Sequence, residues 1–195
     1  MINIDENKAK ILELLKFENP DLLDYLCESD FFTAPCSRSH HLAERGGLAE
    51  HSLNVFRRLL DMAPDHAWLT LRTITVCGLL HDLCKANFYA IEIANRKINP
   101  KDPYSKWESY ERYCYADQLP LGHGEKSAFL LLRLGVPISN EELAAIRWHM
   151  GPWAVQGDAG AQKALSAAQK MWPLVTLLHV ADMLATHIME RENGE

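Results

Sequence analysis

The sequence predicts an all-α fold carrying one small β-hairpin insertion. Apolar residues recur at helical spacing in seven or so segments of the 195-residue chain. Capping and stop signals bound several of these segments. The helical pattern fails only between Asn87 and Gly122, where strict alternation and turn dipeptides replace it.

Taken in order, residues Asp5 to Phe17 set Ile11, Leu12, Leu14 and Leu15 among charges, and Pro20-Asp21 opens a second amphipathic helix ending near Cys27. These two helices fill about residues 1–35. From Phe31 to Gly47 the chain reads as an irregular loop with polar cargo, Arg38, His40, His41 and Arg45. Leu48 to Met62 returns to helix, with His51 near its start and Pro64 stopping it. Trp68 to Lys85 is the central helix, apolar on most sides and so expected to be buried by its neighbours.

The insertion, about residues 87–122, alternates from Tyr89 to Ile93, turns at Asn99-Pro100 and Asp102-Pro103, and is aromatic-rich from Tyr110 to Tyr115. Arg96, Lys97, Lys101 and Lys106 cluster there with Tyr104 and Trp107. They fit a lid over a phosphorylated substrate or, more ordinarily, a solvated hairpin with its aromatics packed inward. Beyond His123 the helices resume, from Glu125 to Leu134 and from Ser139 to about Met150. Ser139 is the cap and Glu142 stands at capping-box distance. Gln162 to Met171 forms another, and Pro173 opens the last, which is expected to reach about Glu190.

Composition narrows the function. A chain of this length with 48% hydrophobic residues supports a single domain over residues 1–195. Five cysteines, odd in number and without CxxC spacing, predict free thiols and a cytoplasmic location. No apolar run approaches the roughly 18 residues of a membrane span, so no membrane partner is expected. A net charge of −6 disfavours long nucleic acid, whereas a small phosphorylated substrate such as a nucleotide needs only a local positive pocket.

That pocket is expected around His81-Asp82, two metal-ligand side chains closing a dense apolar run. His51 and Asp182 are ionisable groups at positions where the pattern calls for apolar contact, and with the doublet they make one site of two imidazoles and two carboxylates. His123, at a helix entrance, and His149, at a helix end, would reach a second ion with Asp82 as the bridge. Mixed nitrogen and oxygen ligands favour iron, manganese, nickel, cobalt or zinc, with magnesium less suited. Lys85, four residues beyond His81, is expected on the same helical face, to meet a substrate phosphate. Arg147, Trp148 and Trp153 flank His149 as candidates to hold or stack a nucleotide, His40 and His41 are candidates at the mouth, and His179 is read as orienting a ligand.

The order H, HD, D in these residues resembles the HD superfamily of metal-dependent phosphohydrolases, and His123 and His149 resemble its two-metal members. His40-His41 through Gly46-Gly47-Leu48-Ala49-Glu50-His51-Ser52 is similar to a run of HD-domain 3′→5′ exoribonucleases, as are Leu79-Leu80-His81-Asp82-Leu83-Cys84-Lys85, Gly122-His123 and Leu178-His179-Val180-Ala181-Asp182. The hairpin insertion looks more like small stand-alone HD hydrolases. The likeness implies an HD-domain helical bundle, one or two divalent transition metal ions on His51, His81, Asp82, His123, His149 and Asp182, and a phosphate role for Lys85. It departs at Trp148-His149-Met150, where the related enzymes tend to pair two histidines.

Two functions follow as expectations. The first is a phosphohydrolase that uses metal-activated water on a nucleotide, dinucleotide or short oligonucleotide, with Asp82 and Lys85 catalytic and Lys85, Arg147, Trp148 and His41 at the substrate. The alternative is a non-catalytic nucleotide-binding sensor on the same scaffold.

Overall fold

Eight α-helices and one two-stranded hairpin make up the fold in a computed structural model that describes residues 2–191; residues 1 and 192–195 of the expected 1–195 domain lie outside it. The helices are α1 (Ile4–Leu15), α2 (Pro20–Glu28), α3 (Gly47–Met62), α4 (Leu71–Leu80), α5 (His123–Arg133), α6 (Asn140–Trp148), α7 (Ala159–Met171) and α8 (Pro173–Leu184). The strands β1 (Tyr89–Lys97) and β2 (Trp107–Tyr115) pair antiparallel between α4 and α5, with Tyr89 opposite Tyr115 and Lys97 opposite Trp107. No single helix among the described residues is long and apolar enough to cross a membrane. All five cysteines are free.

The buried apolar side chains form one cluster to which α3, α4, α6 and α8 contribute most of the centre, including Leu59, Ile74, Leu79, Leu80, Ile146 and Leu178. Helix starts follow their caps. Asn3, Asn19, Thr70 and Asp158 each accept a backbone N–H from the first turn, and Ser139 and Glu142 complete the expected capping box at the start of α6.

The central helix is shorter than expected. Thr70 caps it at one end, which leaves Trp68 outside, and at the other the chain leaves helical geometry at Asp82 (φ −104°, ψ 21°) and enters a 3₁₀ turn at Leu83–Lys85. His81 and Asp82 therefore flank a helix end rather than sharing one regular helix, and Lys85 is placed by that turn rather than by helical spacing from His81. The last helix also stops early, at Leu184, and passes into a π turn at Ala185–Met189 that precedes Glu190.

The hairpin keeps its contacts chiefly to itself. Its aromatics do not pack inward as a group: Tyr104 and Trp107 near the tip are exposed, as are Ile91 and Ile93. Two of the four cations there are engaged locally, Arg96 with Glu108 at 2.7 Å and Lys97 with the carbonyl of Pro103. Only the root, Tyr89 and Tyr115, reaches a cavity in the body of the protein.

Two glycines set the helix approaches that matter downstream. A Cβ at Gly78 on α4 would lie 2.7 Å from the Phe56 Cα on α3, and one at Gly124 on α5 would meet the Arg147 and Ile146 carbonyls on α6. In both cases backbone, which cannot swing away, stands against the missing side chain. Gly78→Ala is expected to lower stability by about 1–3 kcal/mol, as overpacking of a close helix contact does. Denaturant titration checks it, and a variant as stable as the wild type would show that α3 and α4 have room to separate.

Candidate metal centre

Three helices end or begin at one point. His81 follows the last residue of α4 and His149 follows the last residue of α6, and each turns its Nδ1–H back onto the carbonyl three residues earlier, Gly78 at 3.0 Å and Ile146 at 2.7 Å. The last carbonyls of a helix lack intrahelical donors, so an imidazole at this position satisfies one and sends Nε2 away from the helix. Both rings are fully buried. His123 is the first residue of α5, and His51 sits on α3 with both ring nitrogens occupied by carboxylates: Asp182 of α8 at 3.2 Å from Nε2 and Glu190 at 3.0 Å from Nδ1.

The four imidazoles close on Asp82, whose two oxygens divide them. Oδ2 lies 3.7 Å from His51 Nε2 and 3.6 Å from His81 Nε2. Oδ1 lies 2.7 Å from His123 Nε2 and 3.4 Å from His149 Nε2. Lys85 also reaches Oδ2, at 2.7 Å. The structure thus brings together His51, His81, Asp82, His123, His149 and Asp182, with the two oxygens of Asp82 facing different pairs of imidazoles.

The donor set fits a divalent transition metal. His81 spends its Nδ1–H on Gly78, so its Nε2 offers a lone pair, yet that atom sits 3.3 Å from His51 Nε2 and close to Asp82. His149 Nε2 is buried with no hydrogen-bond partner at all. Lone pairs and carboxylates converging in a buried volume call for a cation. Ligand atoms of His51, His81 and Asp182 lie within 4.8 Å of one another, as do those of His81, Asp82 and His149. Cys84 joins Asp82 and His123 in a further group, but burial pushes its thiol up to about 12, so it remains protonated beside His123 Nδ1 at 3.2 Å.

The electrostatics carry the same stamp. Burial opposes charge on Asp82, but Lys85, His81 and His123 hold it well below the usual carboxylate range. Burial drives His81 down to about 3, which leaves it neutral and ready to ligate. His51 goes the other way: burial resists its charge, and Cys36, Asp182 and Glu190 around it hold its proton well above the ordinary imidazole value.

A cavity of about 680 Å³ opens onto the cluster. His51, Asp82, Lys85, His123 and Asp182 form its floor; Phe88, Tyr89, Tyr115, Met150, Trp153 and Met183 its apolar walls; Arg38, His40 and His41 stand on its rim side. His41 touches Cys36 Sγ at 3.3 Å. Arg147 and Trp148, expected at the substrate, do not line this cavity. Arg147 pairs with Glu125 and stacks on the Trp148 ring at 3.8 Å. Trp153 reaches the cavity instead. His179 lines it too, and donates to the His149 carbonyl at 2.7 Å.

Sequence reasoning passed over Glu190 and Cys36. Both lie against the site, Cys36 with Lys85 Nζ at 3.5 Å and Glu190 against His51. The only signal for Glu190 was a polar face on α3, His51, Asn54 and Arg57 three residues apart, which needed a polar partner.

Among known proteins, the family described as HD domain matches residues 48–187, a span that contains all six ligand candidates. No curated protein and no solved structure matches the chain.

Because a metal must displace the proton that the surrounding carboxylates hold on His51, metal affinity is expected to rise with pH and metal uptake to release protons. Calorimetry of Mn²⁺ binding in buffers of differing ionisation enthalpy measures that release, and proton-free, pH-independent binding would contradict the assignment of His51 as a ligand.

Proposed function

The chain belongs to the HD domain family, and on that premise we propose that it is a metal-dependent phosphohydrolase acting on a nucleotide, dinucleotide or short oligonucleotide. The observation that carries the reading is the convergence of His51, His81, His123 and His149 on the two oxygens of Asp82, with Asp182 completing the set and Lys85 beside it. A divalent ion held by these residues supplies Lewis acidity, lowering the pKa of water and polarising a phosphoryl oxygen.

The protein's own groups account for the rest. Asp82 stays ionised and, through its two oxygens, ties both halves of the ligand set to one point. Lys85 steadies that carboxylate and, because it also lines the cavity, presents positive charge to a phosphate seated there. The Gly78 and Ile146 carbonyls keep the His81 and His149 rings turned with Nε2 inward.

The cavity volume falls in the range of small-molecule sites, roughly 300–1,000 Å³. Its aromatic walls suit a base or another flat ring, with the phosphate at the floor. Arg38, whose guanidinium lies 5.2 Å from the Tyr115 ring centroid, adds a cation on the same wall and supports an anionic substrate. The formal net charge of −6 supports a substrate admitted to this pocket over a long polyanion spread on the surface.

A nucleotide-binding sensor without turnover is the second reading, and Met150 favours it: a thioether lines the cavity next to His149, where related catalytic chains tend to carry a second imidazole. Turnover separates the two. With Mn²⁺, Fe²⁺ or Ni²⁺ the protein is expected to hydrolyse an aryl phosphomonoester or phosphodiester and members of a nucleotide panel, and Asp82→Ala to abolish this. Lys85→Ala is expected to reduce kcat by about 10²–10³-fold, the size of effect seen when one preorganised donor to developing negative charge is removed. Tight nucleotide binding by metal-loaded protein that turns over nothing on the panel would leave the sensor reading standing and remove the hydrolase.

A further inference from the structure

We infer that Glu190 is the positioning residue of His51, brought there by the π turn that interrupts the end of α8 and braced by Asn54 and Arg57. The inference rests on the reading of His51 as a metal ligand.

A histidine ligates through one nitrogen, and the partner of the other fixes the tautomer and the ring orientation. His81 and His149 use backbone carbonyls for this, so the folded chain sets them directly. His51 lies within α3 and has no free carbonyl to use. Its Nδ1 instead faces both oxygens of the Glu190 carboxylate, at 3.0 and 3.1 Å, and the Glu190 side chain is only 1% exposed.

The π turn explains how one helix supplies both carboxylates. At 100° per residue, Glu190, eight residues past Asp182, would point about 80° away from it on an unbroken α-helix. One residue absorbed by a π turn makes the offset that of seven residues, about 20°, and returns the two side chains to one face. The turn occupies Ala185–Met189, and the Glu190 N–H bonds to the Ala185 carbonyl five residues earlier. Asp182 then meets Nε2 of His51 while Glu190 meets Nδ1.

The carboxylate is held in turn. Asn54 Nδ2 donates to Glu190 Oε1 at 3.0 Å, and Arg57 donates to Asn54 Oδ1 at 2.7 Å. His51, Asn54 and Arg57 are three residues apart and so lie along one face of α3. A chain of hydrogen bonds thus runs from the half-exposed guanidinium of Arg57 to the buried imidazole. The metal chemistry by itself does not require it; it serves to keep Nε2 as the ligating atom and to strengthen its lone pair.

The test measures Mn²⁺ affinity by calorimetry together with the melting temperature of the metal-free protein. Glu190→Ala is expected to weaken Mn²⁺ binding by about 10–100-fold, the usual cost of losing an outer partner of a ligating histidine. Glu190→Gln, whose amide oxygen still accepts the Nδ1–H, is expected to recover most of that loss. Glu190→Ala binding Mn²⁺ as tightly as wild type, with only the melting temperature lowered, would reduce Glu190 to a packing residue and overturn the inference; so would Glu190→Gln no better than Glu190→Ala. Should Glu190→Ala fail to fold, Asn54→Ala leaves both His51 and Glu190 in place and is expected to weaken Mn²⁺ binding, an unchanged affinity again overturning it. Wild-type protein that takes up none of Mn²⁺, Fe²⁺, Co²⁺, Ni²⁺ and Zn²⁺ defeats the functional reading itself, which separates the two failures.

Discussion

A carboxylate almost wholly removed from water governs this structure. Asp82 is 2% exposed and remains ionised, a state that costs several kcal/mol in desolvation unless the surroundings answer it. Lys85 and His123, each 2.7 Å from a carboxylate oxygen, are that answer, and His51, His81 and His149 stand around it at 3.4–3.7 Å on the ends or bodies of three further helices. The helices cannot drift apart without stranding the charge, so the requirement of the site and the packing of the core are one constraint. A cation seated among the inward-facing nitrogens would relieve it further, since the buried His149 Nε2 has no hydrogen-bond partner.

Local structure places each member of the cluster. Helices α4 and α6 end on histidines, an arrangement in which a side chain completes the backbone's hydrogen bonding and is aimed by doing so. The absence of a side chain at Gly78 and Gly124 lets α3 approach α4 and α5 approach α6, the two pairs that carry His51 with His81 and His123 with His149. Departures from regular geometry fall where function needs a change of direction, at Asp82 and in the π turn before Glu190.

Much of this was legible in the chain. Polar residues in apolar helices marked His81, Asp82 and Asp182, since burial without partners would be too unfavourable to persist. The hairpin showed through alternation and its Asn-Pro and Asp-Pro turns. What escaped notice depends on where helices end. Periodicity extended α4 to Lys85 because Leu83 and Cys84 are as apolar as the helix before them, whereas the break at Asp82 is made by tertiary contacts. The polar face of α3 calls for a partner but does not name Glu190, because a π turn leaves no compositional mark and helical spacing would aim that residue elsewhere. Arg147 and Trp148 sit beside His149 in sequence, but the helix turns them toward Glu125 and each other, so adjacency misled.

The hairpin divides its labour along its length. Tyr89 and Tyr115 stand opposite each other at the root and form a wall of the cavity, while Tyr104 and Trp107, at the far end, touch little of the body. Change at the tip is therefore mechanically insulated from the ligands. Residues 98–106 are free to lengthen, shorten or alter in charge while the root register stays pinned where β1 leaves the turn after α4. The element is thus a handle on a fixed buried centre, whose far end can change in what it meets outside without disturbing the residues around Asp82.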